Sequence, residues 1–74
     1  MPVQIIPVGF LKPLFPTAPA LEVEAGKSID EVLAGMGIQA DLVAMVLVNG
    51  RQAPKETVLH DGDVVKLIPF VGGG

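Results

Sequence analysis

No cysteine occurs in this 74-residue chain, which excludes a disulfide framework or cysteine-ligated zinc as the staple of a small domain and permits a reducing, cytoplasmic setting. Tryptophan and tyrosine are also absent, and the aromatic residues are Phe10, Phe15 and Phe70. The core must therefore be built from Val, Leu, Ile, Ala and Met. Basic residues are scarce: five Lys/Arg stand against eight Asp/Glu, for a net charge of −3. A phosphate backbone demands a basic footprint, so nucleic acid is not an expected partner, whereas a basic protein surface is compatible. Long apolar runs are missing as well. The longest covers residues 42–48, far short of the roughly 20 residues that span a bilayer, so no membrane association is expected. Nor does a basic segment precede an apolar stretch at the start, so no cleaved signal peptide is expected.

What is present is one domain's worth of chain, which at this size buries only about 60% of the surface exposed when unfolded. Residues 3–8 are apolar and β-branched apart from Gln4 and Pro7. That pattern predicts a strand buried on both faces, with Pro7 marking the end of its ladder. Across residues 9–19, Pro13, Pro16 and Pro19 deny a continuous helix, although Phe10, Leu11, Leu14 and Phe15 can pack one turn onto the core. Leu21 and Val23 alternate with Glu22 and Glu24, the period of a half-exposed strand pairing antiparallel with the first.

Ser28 followed by Glu31 forms a capping box, and Asp30 with Glu31 favours the positive end of a helix dipole. Ile29, Val32, Leu33 and Met36 keep helical spacing, and Gly37 suits the position just past the helix end. Residues 39–43 allow a short helical turn behind Asp41. Residues 44–48 read as a strand closed by Asn49-Gly50, a strong reversal signal. A polar stretch with Pro54 follows, then Val58-Leu59 as a short apolar anchor and a second turn at His60-Asp61-Gly62-Asp63. In the last strand, residues 64–70, Val65 and Leu67 are expected to face the helix while Ile68 and Phe70 face outward. Outward apolar residues beside a free terminus suggest a docking surface; covering a small core from behind is the alternative.

The element order is β-β-α-β, a short β, then β. Placing the first and last strands side by side and parallel at the sheet centre uses the single helix as the right-handed crossover such a pairing requires. The expected class is α+β: a ubiquitin-like β-grasp with a mixed sheet of four to five strands and one main helix on one face. Residues 1–71 form the domain and residues 72–74 a flexible glycine tail.

Residues suited to catalysis are few. His60 is the sole histidine, and no Ser-His-Asp set can be spaced around it. Asp61 and Asp63 resemble part of a metal loop, but Val64 and Val65 supply no further oxygen ligands; turn geometry explains the two aspartates better. Neither Gly35 with Gly37 nor Gly72–Gly74 has the strand-to-helix setting of a phosphate-binding loop. No bound cofactor or metal is expected. What remains is the carboxylate of Gly74. The four residues from Val71 reach roughly 13–14 Å when extended, and glycine can thread a channel too narrow for any side chain. A carboxylate resists nucleophiles until ATP converts it to an acyl-adenylate, which a second protein must do. A sulfur donor attacking that anhydride leaves a thiocarboxylate; an amine leaves an isopeptide bond.

Three blocks carry a family resemblance: Val48-Asn49-Gly50-Arg51, then Thr57-Val58-Leu59-His60-Asp61-Gly62-Asp63-Val64-Val65, then Leu67-Ile68-Pro69-Phe70-Val71-Gly72-Gly73-Gly74. They resemble the layout of the MoaD/ThiS sulfur carriers of molybdopterin and thiamine biosynthesis, and residues 26–33 are similar to that family's helix entry. The resemblance implies a non-catalytic carrier. Gly74 would be adenylated by an E1-like adenylyltransferase that consumes ATP, then thiocarboxylated, then presented to a synthase large subunit or a thiazole synthase. It also implies docking through Ile68, Phe70 and Val71, with Gly72 and Gly73 lining the partner's channel. The segment 9–19 and Pro69 favour the molybdopterin synthase small subunit, which leaves molybdopterin and tungstopterin open. Residues 70–74 read more like the thiamine carrier. Two other readings stand beside this one: a protein modifier joined to lysines through Gly74, and a β-grasp binding module with an inert tail.

Overall fold

The computed structural model describes residues 1–9, 11 and 21–70. Its elements are β1 (Val3–Pro7), β2 (Leu21–Val23), α1 (Ile29–Gly35), a 3-10 turn (Ala40–Leu42), β3 (Val43–Val48), β4 (Arg51–Gln52) and β5 (Val64–Pro69). The strands form one sheet in the order β2-β1-β5-β3-β4. β1 and β5 are parallel, with Ile5 opposite Val65 and Pro7 opposite Leu67; the other pairings are antiparallel. This is the ubiquitin-like β-grasp expected from the sequence, with β5 at its centre.

Helix α1 forms where local chemistry demands it. The Glu31 amide donates to Ser28 Oγ at 3.2 Å and the Ser28 amide donates to Glu31 Oε1 at 3.0 Å, a complete capping box. The helix stops in a Schellman arrangement: the Ile38 amide donates to the Leu33 carbonyl at 3.0 Å and the Gly37 amide to the Ala34 carbonyl at 3.1 Å. Gly37 sits at φ +73°, a left-handed conformation that a Cβ would strain. Between these ends Ile29, Val32 and Leu33 are buried, and Met36 packs against the core at its edge.

The core is aliphatic, as the composition demanded. Val3, Ile5, Leu11, Val43, Val46, Leu59, Val65 and Leu67 are each at most 1% exposed. Of residues 9–19, the stretch expected to lay a turn on the core, Leu11 is described and is buried; Phe10, Leu14 and Phe15 lie outside the described residues. The anchor at Val58-Leu59 divides: Leu59 is buried and Val58 is exposed.

One expectation is corrected. β1 is not buried on both faces: Val3, Ile5 and Pro7 point into the core, Gln4 is exposed and Ile6 is half-buried. Among the described residues one α-helix covers one side of the sheet, and apolar continuity along a strand does not by itself require a second covering layer. The expected end of the ladder is nearly met. Past Pro7, one more bond runs from the Val8 amide to the Leu67 carbonyl at 3.1 Å.

The two turns flagged in the sequence are bolted to each other. Asn49 and Gly50 adopt φ +53° and +84°, the left-handed pair of a tight hairpin turn. The Asn49 carboxamide then reaches across the sheet end. Its Nδ2 donates to Asp63 Oδ1 at 2.9 Å, while its Oδ1 accepts the Val64 amide at 2.9 Å. The second carboxylate oxygen of Asp63 accepts the His60 amide at 2.9 Å, and its carbonyl accepts the Gln4 amide at 2.9 Å. The β3–β4 turn, the start of β5 and the start of β1 thus share one hydrogen-bonded node. Asp63 is held by turn geometry, as the sequence suggested.

These bonds set the acid response. The His60 amide, then the Asn49 carboxamide, hold the Asp63 carboxyl below its ordinary value, and the Ser28 amide and hydroxyl do the same for Glu31. Both groups bind protons more readily in the unfolded chain. Their contribution is therefore complete above the unfolded values of about 3.9 and 4.3 and is lost as pH falls through the lower folded values. Stability should be flat above about pH 5 and decline below about pH 4. Denaturant titrations of Asp63→Asn should show a shallower acid decline; an acid limb identical to wild type would contradict the node. Separately, Leu67→Ala empties the packed centre of β5 and should cost about 2–5 kcal/mol. In a domain this small that leaves much of the chain unfolded at room temperature, as circular dichroism would report. A loss below about 1 kcal/mol would mean the core closes elsewhere.

Candidate functional site

Alternation along β5 sorts its residues without exception: Val65, Leu67 and Pro69 are buried, Lys66 is exposed, and Val64 and Ile68 are half-buried on the side away from α1. Phe70 continues the outward set and is 59% exposed. Ile68 and Phe70 thus lie where the sequence placed them. Val71 and Gly72, Gly73 and Gly74 lie outside the described residues.

The sheet brings further apolar residues to the same side. Met45 on β3 stands opposite Ile68, and Leu47 stands opposite Lys66. A register shift between Val43 and Met45 inserts Ala44, so that Val43 stays in the core opposite Pro69 while Met45 turns outward. Beyond the end of β5 the Phe70 amide donates to the Leu42 carbonyl at 3.4 Å. Leu42 and Met45 are both 37% exposed. The result is an exposed apolar cluster of Leu42, Met45, Ile68 and Phe70 at the end of β5, the point from which the chain proceeds toward its glycines. Leu42 and Met45 were not singled out from the sequence. Residues 42–48 read as an unbroken apolar run, and the added residue at Ala44 destroys the alternation that would have sorted inward from outward positions.

Two further features hold this end of the sheet in place. Gly9, at φ +61°, lies so close to β5 that a Cβ there would sit 3.3 Å from Pro69 Cγ, so the segment leaving β1 is pressed onto the end of β5. Lys55 Nζ donates to the Ala40 carbonyl at 2.8 Å and ties the 3-10 turn that carries Leu42 to the loop after β4. His60 is exposed beside its turn, at the opposite end of β5 from the cluster. Among the described residues no group of three or more His, Asp or Glu side chains gathers as a metal site, and no helix is long and apolar enough to cross a membrane.

Comparison with known proteins agrees with this geometry. Residues 8–74 match the family model described as the ThiS family. No curated protein matches in sequence. Among solved structures, the Haloferax volcanii HVO 2177 protein is similar with a TM-score of 0.73 at 22% identity, over 100% of this chain and 87% of that one. SAMP1 from Haloferax volcanii is similar with a TM-score of 0.70 at 17% identity over the whole of both chains. A chain from the protein–protein complex of subunits 1 and 2 of molybdopterin-converting factor from Helicobacter pylori 26695 gives a TM-score of 0.64 at 26% identity, again over 100% of both. With a matched family model covering nearly its whole length and a β-grasp that sets β5 at the sheet centre, the chain belongs to the ThiS family of ubiquitin-like sulfur carriers.

Proposed function

We propose that this protein is a carrier whose terminal carboxylate, on Gly74, is adenylated at the expense of ATP by an E1-like enzyme and converted to a thiocarboxylate for sulfur transfer. The observation that supports this reading most is the exposed cluster of Leu42, Met45, Ile68 and Phe70 at the end of β5, next to a sequence that finishes in Gly72-Gly73-Gly74. Apolar side chains left in water beside a reactive end are the pattern of a docking surface, and Ile68, Phe70 and Val71 are its assigned contacts. In this reading activation falls to the partner, and the carrier itself is non-catalytic.

The chemistry follows in order. The Gly74 carboxylate attacks the α-phosphorus of ATP in the partner's site, forming an acyl-adenylate and releasing pyrophosphate. A sulfur donor then displaces AMP, leaving sulfur bonded to the terminal carbonyl carbon. Gly72 and Gly73 make this possible sterically, since a backbone without Cβ atoms passes through a slot that also excludes water. The acceptor is a synthase large subunit or a thiazole synthase. The similarity to a chain from the molybdopterin-converting factor complex favours the former, and a molybdopterin or tungstopterin product with it. Such pathways run in the cytoplasm, with which a chain free of cysteine is compatible. Attack by a lysine instead of sulfur would make the same chain a protein modifier.

Protein isolated from sulfur-replete native cells should carry a terminal modification of about +16 Da, oxygen replaced by sulfur; its complete absence would contradict the carrier reading. Gly-Gly remnants on lysines of other proteins would favour the modifier. Gly73→Ala should slow adenylation with no change in melting temperature, because the added Cβ obstructs passage and removes no packed contact. Deleting Gly73 and Gly74 should abolish function and leave the fold intact; retained function would identify an inert tail.

A further inference from the structure

The centre of the outer sheet face is apolar around one charged residue, with Gln4 and Gln52 toward its margins. Across β1, β5, β3 and β4 its members are Gln4, Ile6, Val64, Lys66, Ile68, Met45, Leu47 and Gln52, as the registers place them. Lys66 is the one charged residue in that set. It stands in the middle of a cross-strand row, with Ile6 on one side and Leu47 on the other, and Val64 and Ile68 precede and follow it on its own face of β5. It is exposed, and among the described residues no carboxylate lies within ion-pair distance of its ammonium. The acidic residue that shares the face, Glu22 on β2, stands opposite Gln4. That is two strands across and two residues along, roughly 12 Å by sheet geometry, beyond about one screening length at physiological salt. In a chain where acidic residues outnumber basic ones, this face sets a cation without an ion pair among apolar neighbours.

A partner covering Ile68 and Met45 also covers Lys66, because the three share adjacent positions on neighbouring strands. Lysine can lay its stem on apolar neighbours and keep its head in water, but an interface that shuts water out removes that escape. Burying an unpaired ammonium opposes the gain from covering the surrounding side chains. We propose that Lys66 is the specificity-determining residue of the docking face, and that the activating enzyme meets it with an apolar surface carrying a carboxylate opposite its ammonium. The proposal rests on the carrier reading above and adds the charge chemistry of the partner surface. The cation steers the encounter and fixes the register of the sheet on the enzyme, which sets where the glycine tail enters. Lys66 does not touch the reacting atoms; it acts by positioning.

The test is steady-state adenylation by the ATP-dependent activating enzyme of the same organism, read as pyrophosphate release, with wild type, Lys66→Met, Lys66→Glu and Lys66→Arg. All four should melt alike, since Lys66 is exposed. Lys66→Met keeps the stem and loses the charge, and should lower kcat/KM on the order of tenfold; Lys66→Glu opposes the partner's carboxylate and should lower it on the order of a hundredfold. The loss should appear in KM, with kcat unchanged, and Lys66→Arg should restore most of it. Raising the salt should weaken wild type more than Lys66→Met. Lys66→Met binding as well as wild type or better would overturn the proposal while leaving the carrier reading standing. A wild-type chain that the enzyme does not adenylate at all would overturn both.

Discussion

Parallel pairing of β1 with β5 is the constraint from which the rest of this structure follows. Two parallel neighbours cannot be joined by a hairpin; the chain must leave the sheet, cross one face and return. Here that crossing carries α1, whose Leu33 joins Ile5, Val65 and Leu67 in the core, and antiparallel pairing with β3 on its other edge places β5 in the middle of the sheet. β5 is therefore hydrogen-bonded on both edges, to β1 and to β3. The node of Asn49, Asp63, Val64 and Gln4 fixes the start of that strand, and Gly9 against Pro69 fixes its finish.

The same constraint leaves the outer face of the sheet apolar at its centre. Among the described residues the crossover supplies one α-helix, which covers one side of the sheet. The other side keeps its apolar residues in partial contact with solvent, and the register shift at Ala44 adds Met45 beside Ile68 at the end nearest the tail. The proposed function uses this arrangement: outward side chains of β5 for contact, and the residues that follow Phe70 in the sequence for chemistry. Membership of the ThiS family and this geometry support the same proposal, a carrier activated by a partner.

Local signals in the sequence were read correctly where the physics is local. Ser28 with Glu31, Gly37, Asn49-Gly50 and Gly62 mark a cap, a helix end and two turns, and each lies where residue-by-residue reasoning put it. The central parallel pair and the outward placement of Ile68 and Phe70 were also legible, from apolar continuity and period-two alternation. Three features were not. The bond from Asn49 to Asp63 joins residues 14 apart, and no local pattern announces a partner at that distance. Met45 was hidden because an added residue erases alternation within an apolar run. β1 was misjudged because Ile6 is apolar without being buried, a consequence of sheet coverage rather than of composition. The resemblance to the sulfur carriers rested on the two turn motifs as much as on the tail. Those motifs prove to be the architecture that anchors β5.

The central claim is that the carbonyl of Gly74 is the chemically active group of a body that performs no catalysis. The most direct measurement is transfer of label from α-phosphorus-labelled ATP to the purified chain in the presence of the activating enzyme. The account predicts an adenylate on the intact chain, discharged by added sulfide, and none on a chain ending at Gly72. Labelling of both chains, or of neither, would contradict it.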